Sequence, residues 1–167
     1  MGRLTPEEFA QAGKTPMVLI LDNIRSMHNV GSMFRTADCF LAEHIYLCGM
    51  TPEPGHHEIE KTALGATQTV AWTKVDDTLS CIQSLKEQGF RIAALEQAED
   101  SIDLRNYQVQ GPTALVVGHE VMGVQQAVVD ACDDVIEIKQ FGTKHSLNVS
   151  VSAGMALFEI HKGLTAK

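Results

Sequence analysis

Apolar residues fall along this chain in short continuous runs separated by segments of helical period. Met17 to Leu21 is apolar throughout and of strand length. A polar stretch and an amphipathic helix follow, the helix capped by Asn29, with Val30, Met33, Phe34, Ala37 and Leu41 on one face and Ser32 and Arg35 on the other. Ile45 to Cys48 reads as a second strand, residues 50 to 58 as a loop, Ile59 to Leu64 as one or two helical turns, and Val70-Ala71-Trp72 as a brief strand. Thr78 to Gln88 carries Leu79, Ile82 and Leu85 at helical spacing and stops at Gly89, ahead of a strand from Phe90 to Leu95. Thr113 to Val117 is a further strand, Gly123 to Ala131 a helix, and Val135 to Ile138 the last strand. This alternation predicts an α/β fold with a mostly parallel sheet flanked by helices. Ligands of such sheets sit beyond the carboxyl ends of the strands, here the loops after Leu95, Val117 and Ile138.

The loop after Ile138 is the most informative. Residues 137 to 148 pass from a short strand through Gly142 to Ser146 and Asn148 at the mouth of a helix, which gathers backbone N–H groups and two polar side chains at one spot. Val149-Ser150-Val151-Ser152 alternates like a strand. The helical spacing of Leu147, Val151, Met155 and Phe158, together with Ser or Asn caps, favours a helix, which His161-Lys162-Gly163 is expected to end. Ser150, Ala153 and Gly154 add little bulk, so another backbone can pass close by.

With 167 residues, 44% of them hydrophobic, the chain suits one compact domain over 1–167, with residues 1–15 as a short N-terminal extension. Thr5-Pro6-Glu7-Glu8 in that extension reads as a capped helix start. Cysteines 39, 48, 81 and 132 show neither metal-ligand spacing nor disulfide-scaffold density. No apolar run would span a bilayer and no signal-peptide layout opens the chain, so the expected place is the cytoplasm, with no membrane association. A net charge of −8 argues against coating nucleic acid by overall field, although Lys139, Lys144 and His145 form a local basic mouth.

Gly118-His119-Glu120-Val121-Met122-Gly123 follows a strand and opens a helix, yet it is neither G-x-G-x-x-G nor a P-loop. A carboxylate at that turn is its unexpected feature, suited to accepting helix N–H groups or orienting a cation. His56-His57-Glu58, with His28, His44, His119 and His145, lacks the spacing of a metal site and reads as a solvated loop; no metal is expected. Ser146 beside His145 has no nucleophile elbow, so a serine hydrolase is set aside. His28-Asn29-Val30-Gly31-Ser32-Met33-Phe34-Arg35 taken alone is a capped surface helix with an exposed arginine.

In this order, His28 to Ala37, Gly118 to Gly123, and Ile138 to Asn148 with its following helix resemble the three motifs of the SPOUT superfamily, in its SpoU branch of tRNA and rRNA ribose 2′-O-methyltransferases. The resemblance implies a C-terminal deep trefoil knot, S-adenosylmethionine as cofactor and a homodimer. It implies cofactor contacts from Leu95, Glu96, Gly118, Gly123, Ile138, Gly142, Ser146 and Leu147, and a polar catalytic site of Asn29, Arg35, Glu120, Ser146 and Asn148. Arg35 is the family's proposed base. Guanidinium groups titrate above about 12, which favours Arg35 instead as the stabiliser of an emerging alkoxide and holder of the adjacent phosphate. RNA is the implied substrate, since DNA lacks the 2′-hydroxyl. The expected contacts are Arg25, Arg35, Lys61, Lys139 and Lys144, few enough for a gentle salt dependence. His119 departs from the family's more common Asn. Members commonly append RNA-binding segments, which leaves recognition here to the dimer surface or a helper protein. The alternative is a catalytically silent knotted dimer that binds the cofactor and acts through a protein partner; a Rossmann-type redox domain lacks its glycine fingerprint.

Overall fold

In the computed structural model, which describes residues 2–166, β1 (Thr15–Asp22) is buried over nearly its whole length. Met17, Leu19 and Leu21 face one layer of helices, while Val18 and Ile20 face another. A strand covered on both sides has no solvent face, which is why its sequence is apolar without alternation. β1 pairs with β2 (Ala42–Cys48) on one edge and β6 (Thr113–Gly118) on the other, both parallel. With β3 (Trp72–Val75), β4 (Arg91–Leu95), β5 (Ile102–Asp103) and β7 (Asp134–Glu137), the order is β3-β2-β1-β6-β4-β7-β5. Every pairing is parallel, as the alternation predicted.

The first face is covered by α1 (Pro6–Gln11), α2 (Met27–Cys39), α3 (His57–Ala63), α4 (Ala66–Thr69) and α7 (Val149–Thr165). The other carries α5 (Thr78–Glu87) and α6 (Gln126–Ala131). Thr5 caps α1 in the expected reciprocal arrangement, its hydroxyl accepting from Glu8 N–H while the Glu8 carboxylate accepts from Thr5 N–H. All four cysteines are free thiols, and no helix among the described residues is long and apolar enough to cross a membrane.

Several boundaries differ from the sequence reading, each for a tertiary reason. Ser26 caps α2, its hydroxyl accepting from Asn29 N–H at 3.3 Å, so Asn29 lies inside the first turn. Leu41 lies past the end of α2, in left-handed backbone. Val70 is the buried C-cap of α4, and the strand begins at Trp72 because it pairs with Ile45 of β2. α3 starts at His57, inside the expected loop. The segment from Gly123 turns before α6, which starts only at Gln126, and β7 ends at Glu137, leaving Ile138 in the loop. α7 passes through Gly163, which packs against Val109. The two-residue β5 and a 3-10 turn at Leu104–Asn106 occupy an acidic stretch that carried no periodic signal.

The contact that places the N-terminus of α2 is its close crossing with α3. A Cβ on Gly31 would lie 2.0 Å from Thr62 Oγ1 and 2.2 Å from the Ile59 carbonyl oxygen. Thr62 also donates to the His28 carbonyl at 3.0 Å, joining the two helices where Asn29 emerges. Gly31→Ala is therefore expected to destabilise the fold by about 1–3 kcal/mol, read as a lowered urea midpoint at unchanged slope.

Candidate active site

Four chain segments end at the same edge of the sheet: the turn after β1, the residue pair after β4, the turn after β6 and the long segment between β7 and α7. The last three enclose a cleft of about 580 Å³, lined by residues 95–98 and 117–124 and, between β7 and α7, by Glu137, Ile138, Gln140 and residues 145–147. Leu95, Val117, Val124, Ile138 and Leu147 make its apolar wall, and Glu96, Glu120, Glu137 and Ser146 its polar one. The volume lies within the range of small-ligand sites, and a few polar groups on apolar walls is their usual composition.

The floor of the cleft is shaped by the turn after β6. A Cβ at Gly118 would lie 2.5 Å from the backbone of Gly123 and Val124, so the turn folds back directly onto its own start. Gly123 adopts φ +68 and donates its N–H to the His119 carbonyl at 2.8 Å. Glu96 closes the other side, its carboxylate accepting from Val124 N–H at 2.8 Å and from Gln97 N–H at 2.9 Å.

Glu120 reaches away from that turn to the start of α2. Its carboxylate accepts from Ser26 N–H at 2.9 Å, Arg25 N–H at 3.0 Å and the Asn29 side-chain amide at 3.2 Å. Ser26 is the cap of α2 and Arg25 precedes it, so the carboxylate sits at the N-terminal end of the helix, where the helix dipole favours an anion. Burial opposes the charge, but the hydrogen bonds from Ser26, Arg25 and Asn29 outweigh it and hold the Glu120 carboxyl below its ordinary value. The chain of contacts continues: Asn29 Oδ1 accepts from the Asn148 amide at 3.1 Å. Asn148 in turn caps α7, accepting from Ser150 N–H at 2.9 Å and Val151 N–H at 3.2 Å.

Residues 16–158 match the SpoU rRNA Methylase family. The chain belongs to that family. It is 33% identical over 155 residues to the 23S rRNA (guanosine-2′-O-)-methyltransferase RlmB of Vibrio parahaemolyticus, covering 92% of this chain and 62% of that protein. With the RlmB of Neisseria meningitidis the identity is 35% over 148 residues, covering 88% and 58%. The chain thus spans less than two thirds of these curated relatives. Among solved structures it superposes on the A. aeolicus TrmH/SpoU tRNA modifying enzyme with a TM-score of 0.83 at 29% identity, over 95% of this chain and 79% of that one. It superposes on an AdoMet-bound rRNA methyltransferase from Sinorhizobium meliloti with a TM-score of 0.84 at 26% identity, over 96% and 60%.

Of the residues the SpoU resemblance singled out, Leu95, Glu96, Gly118, Glu120, Gly123, Ile138, Ser146 and Leu147 line the cleft; Gly142 does not. Asn29, Glu120 and Asn148 form the hydrogen-bonded chain just described. Arg35 stands elsewhere, exposed on α2, where it shares a groove of about 600 Å³ with Lys61 and Phe40. Glu120 accordingly orients Asn29 and the helix start, with no contact to Arg35 in this chain. Arg25, Lys139 and Lys144 are exposed, Lys139 beside Phe141 and Arg105 in a third groove against α7. Sequence reading missed Gln97, whose amide reaches the His145 carbonyl at 3.5 Å, and the bracing role of Glu96. A carboxylate directly after a strand end was their only local signal. Among the described residues no group of three or more His, Cys, Asp and Glu is arranged to hold a metal ion.

The Glu120 contacts give a stability signature with a defined sign. A carboxyl whose folded value is lowered adds stability above its ordinary value, lost as pH falls through the folded value. Glu120→Gln places an amide where backbone N–H groups need an acceptor, and is expected to cost about 1–3 kcal/mol at pH 7. That difference from the parent should shrink as denaturation is repeated at decreasing pH below about 4.5.

Proposed function

We propose that this SpoU family member transfers a methyl group from S-adenosylmethionine to a ribose 2′-hydroxyl of tRNA or rRNA, as one catalytic unit over 1–167 with residues 1–15 as an N-terminal extension, in the cytoplasm. The observation that carries the reading is the joining of three distant segments, through Asn29, Glu120 and Asn148, at the rim of one cleft. The cleft also suits the cofactor. Its apolar wall of Leu95, Ile138 and Leu147 fits an adenine face, and the turn packed back on Gly118 gives it a floor of backbone. Glu96, Gly118, Gly123, Gly142 and Ser146 complete the proposed cofactor set. When bound, S-adenosylmethionine supplies an electrophilic methyl on a sulfonium.

The protein's part is then to align a ribose hydroxyl with that methyl and to receive the charge the hydroxyl develops. Positioning alone can supply several kcal/mol. Ser146 and Asn148 shape the loop beside the reacting ribose, and Asn29 is held in place by Glu120. Arg35 stabilises the forming alkoxide and grips the neighbouring phosphate, with Arg25, Lys61, Lys139 and Lys144 as the remaining RNA contacts.

Since Arg35 lies outside the cleft of its own chain, the reading requires a second copy. The outer face of α7 supports one: Val151, Met155 and Phe158 are 53%, 44% and 51% exposed, an apolar stripe on a surface helix. That stripe is continuous with the face of α2 near Arg35, where the rings of Phe40 and Phe158 meet edge-on at 6.1 Å. A homodimer through α7 would carry Arg35 toward the partner's cleft. The trefoil knot of the resemblance belongs to the same proposal, formed by the segment between β7 and α7.

Two measurements test these assignments. Arg35→Ala should lower transfer of labelled methyl into RNA by at least about a hundredfold while cofactor affinity by calorimetry stays within about twofold of the parent; loss of cofactor binding would overturn the role given to Arg35. A parent protein that binds the cofactor yet methylates no RNA would select the catalytically silent dimer acting through a partner protein. Phe158→Asp should convert a dimer to a folded monomer in sedimentation equilibrium and abolish transfer. An unchanged mass would sink the α7 interface.

A further inference from the structure

The turn after β6 has an unusual internal support. His119 Nδ1 accepts the N–H groups of both Val121 and Met122, each at 3.1 Å. Its own carbonyl accepts from Gly123 N–H, so one residue organises three successive amides of the turn. Apolar packing does not share the task, because the Val121 and Met122 side chains are 84% and 80% exposed. The bracing from Glu96 acts further along, on Val124 N–H. All of residues 118–123 line the cleft, so what shapes this turn shapes the cleft.

An imidazole nitrogen accepts a hydrogen bond only when bare, and in the protonated ring both nitrogens are donors. The arrangement therefore requires a neutral His119 with its proton on Nε2. Imidazole is the common side chain whose charge changes between about pH 5 and 8. Protonation would set an N–H on Nδ1 against the two backbone N–H groups it now serves.

We propose that His119 is a positioning residue whose neutral ring holds the floor of the cleft in its binding shape, and that its protonation makes ligand binding at this cleft fall in mild acid. The proposal rests on the reading of the cleft as the S-adenosylmethionine site. The other titratable groups lining the cleft are Glu96, Glu120, Glu137 and His145. Glu96 and Glu120 are engaged with backbone N–H groups and Glu137 with the Ser101 hydroxyl at 2.6 Å, while His145 lies on the exposed segment 141–148.

Calorimetric titration of the full chain with S-adenosylmethionine between pH 8 and 5.5, combined with amide and imidazole nitrogen spectra of the free protein, tests it. In the parent, the Val121 and Met122 amide signals should follow the His119 titration, and affinity should fall at least about tenfold toward pH 5.5. His119→Asn supplies an acceptor that does not titrate, so it should flatten that pH profile; His119→Ala should bind about tenfold more weakly than the parent at pH 8. Persistence of the acid fall in His119→Asn would assign it to the glutamates or His145 and overturn the proposal, as would amides that ignore the titration. A parent whose amides follow His119 but which binds no S-adenosylmethionine at any pH would instead overturn the cofactor reading of the cleft, leaving the support of the turn established.

Discussion

One carboxylate sits where the architecture of the site is decided. Glu120 occupies the positive end of α2, accepting backbone N–H groups from Arg25 and Ser26 and the side-chain amide of Asn29. Without an acceptor there, unpaired donors at the helix start would be left partly buried. The contact joins the turn after β6 to the start of α2, across nearly a hundred residues of sequence. Through Asn29 and Asn148 it extends to the cap of α7, so the three motif segments are held by one hydrogen-bonded chain rather than by three separate loops.

That chain depends on rigid supports on either side. The sheet supplies one, since β1, β6 and β4 lie in register as parallel neighbours and deliver their carboxyl ends to the same edge. Their side chains are buried from both faces, by α2, α3 and α7 on one and α5 and α6 on the other, which leaves little freedom for the edge to shift. The α2–α3 crossing supplies the other, because the absence of a side chain at Gly31 lets Thr62 approach and take the His28 carbonyl. The turn after β6 then bridges both supports, braced by Glu96 beneath and His119 within.

The molecule divides its surface chemistry among three regions. The cleft gathers backbone and carboxylates, whereas Arg35 and Lys61 lie in a separate groove on α2 and α3. The exposed apolar stripe of α7 lines a third groove, shared with Arg105, Lys139 and Phe141. An acidic chain of net charge −8 whose cations stand in small groups, Arg35 with Lys61 in one groove and Arg105 with Lys139 in another, is organised for local contacts, not for coating a polyanion.

Much of this was legible in the sequence. The uninterrupted apolar run at Met17 to Leu21, the periodic helices and the glycine stops dictate a parallel α/β sheet, because local periodicity and turn chemistry act within a few residues. The three motifs named the segments that meet. Tertiary contacts decided what local rules left degenerate. Ser26 and Asn29 are both good caps less than one turn apart, and Glu120 selects Ser26 by occupying the adjacent N–H groups, which frees the Asn29 side chain for Asn148. The edge strands β3 and β5 are short and partly exposed, so they carry no strong apolar signal and exist only through their pairing. Helix α7 runs past Gly163, where Val109 leaves no room for a side chain, and Arg35 faces its own groove because the side of α2 it stands on is set by which side the core takes. Spacing along the chain determines faces and caps in kind, but a choice between equivalent caps, or of which groups share a pocket, is made by residues distant in sequence and is settled only when the chain is folded.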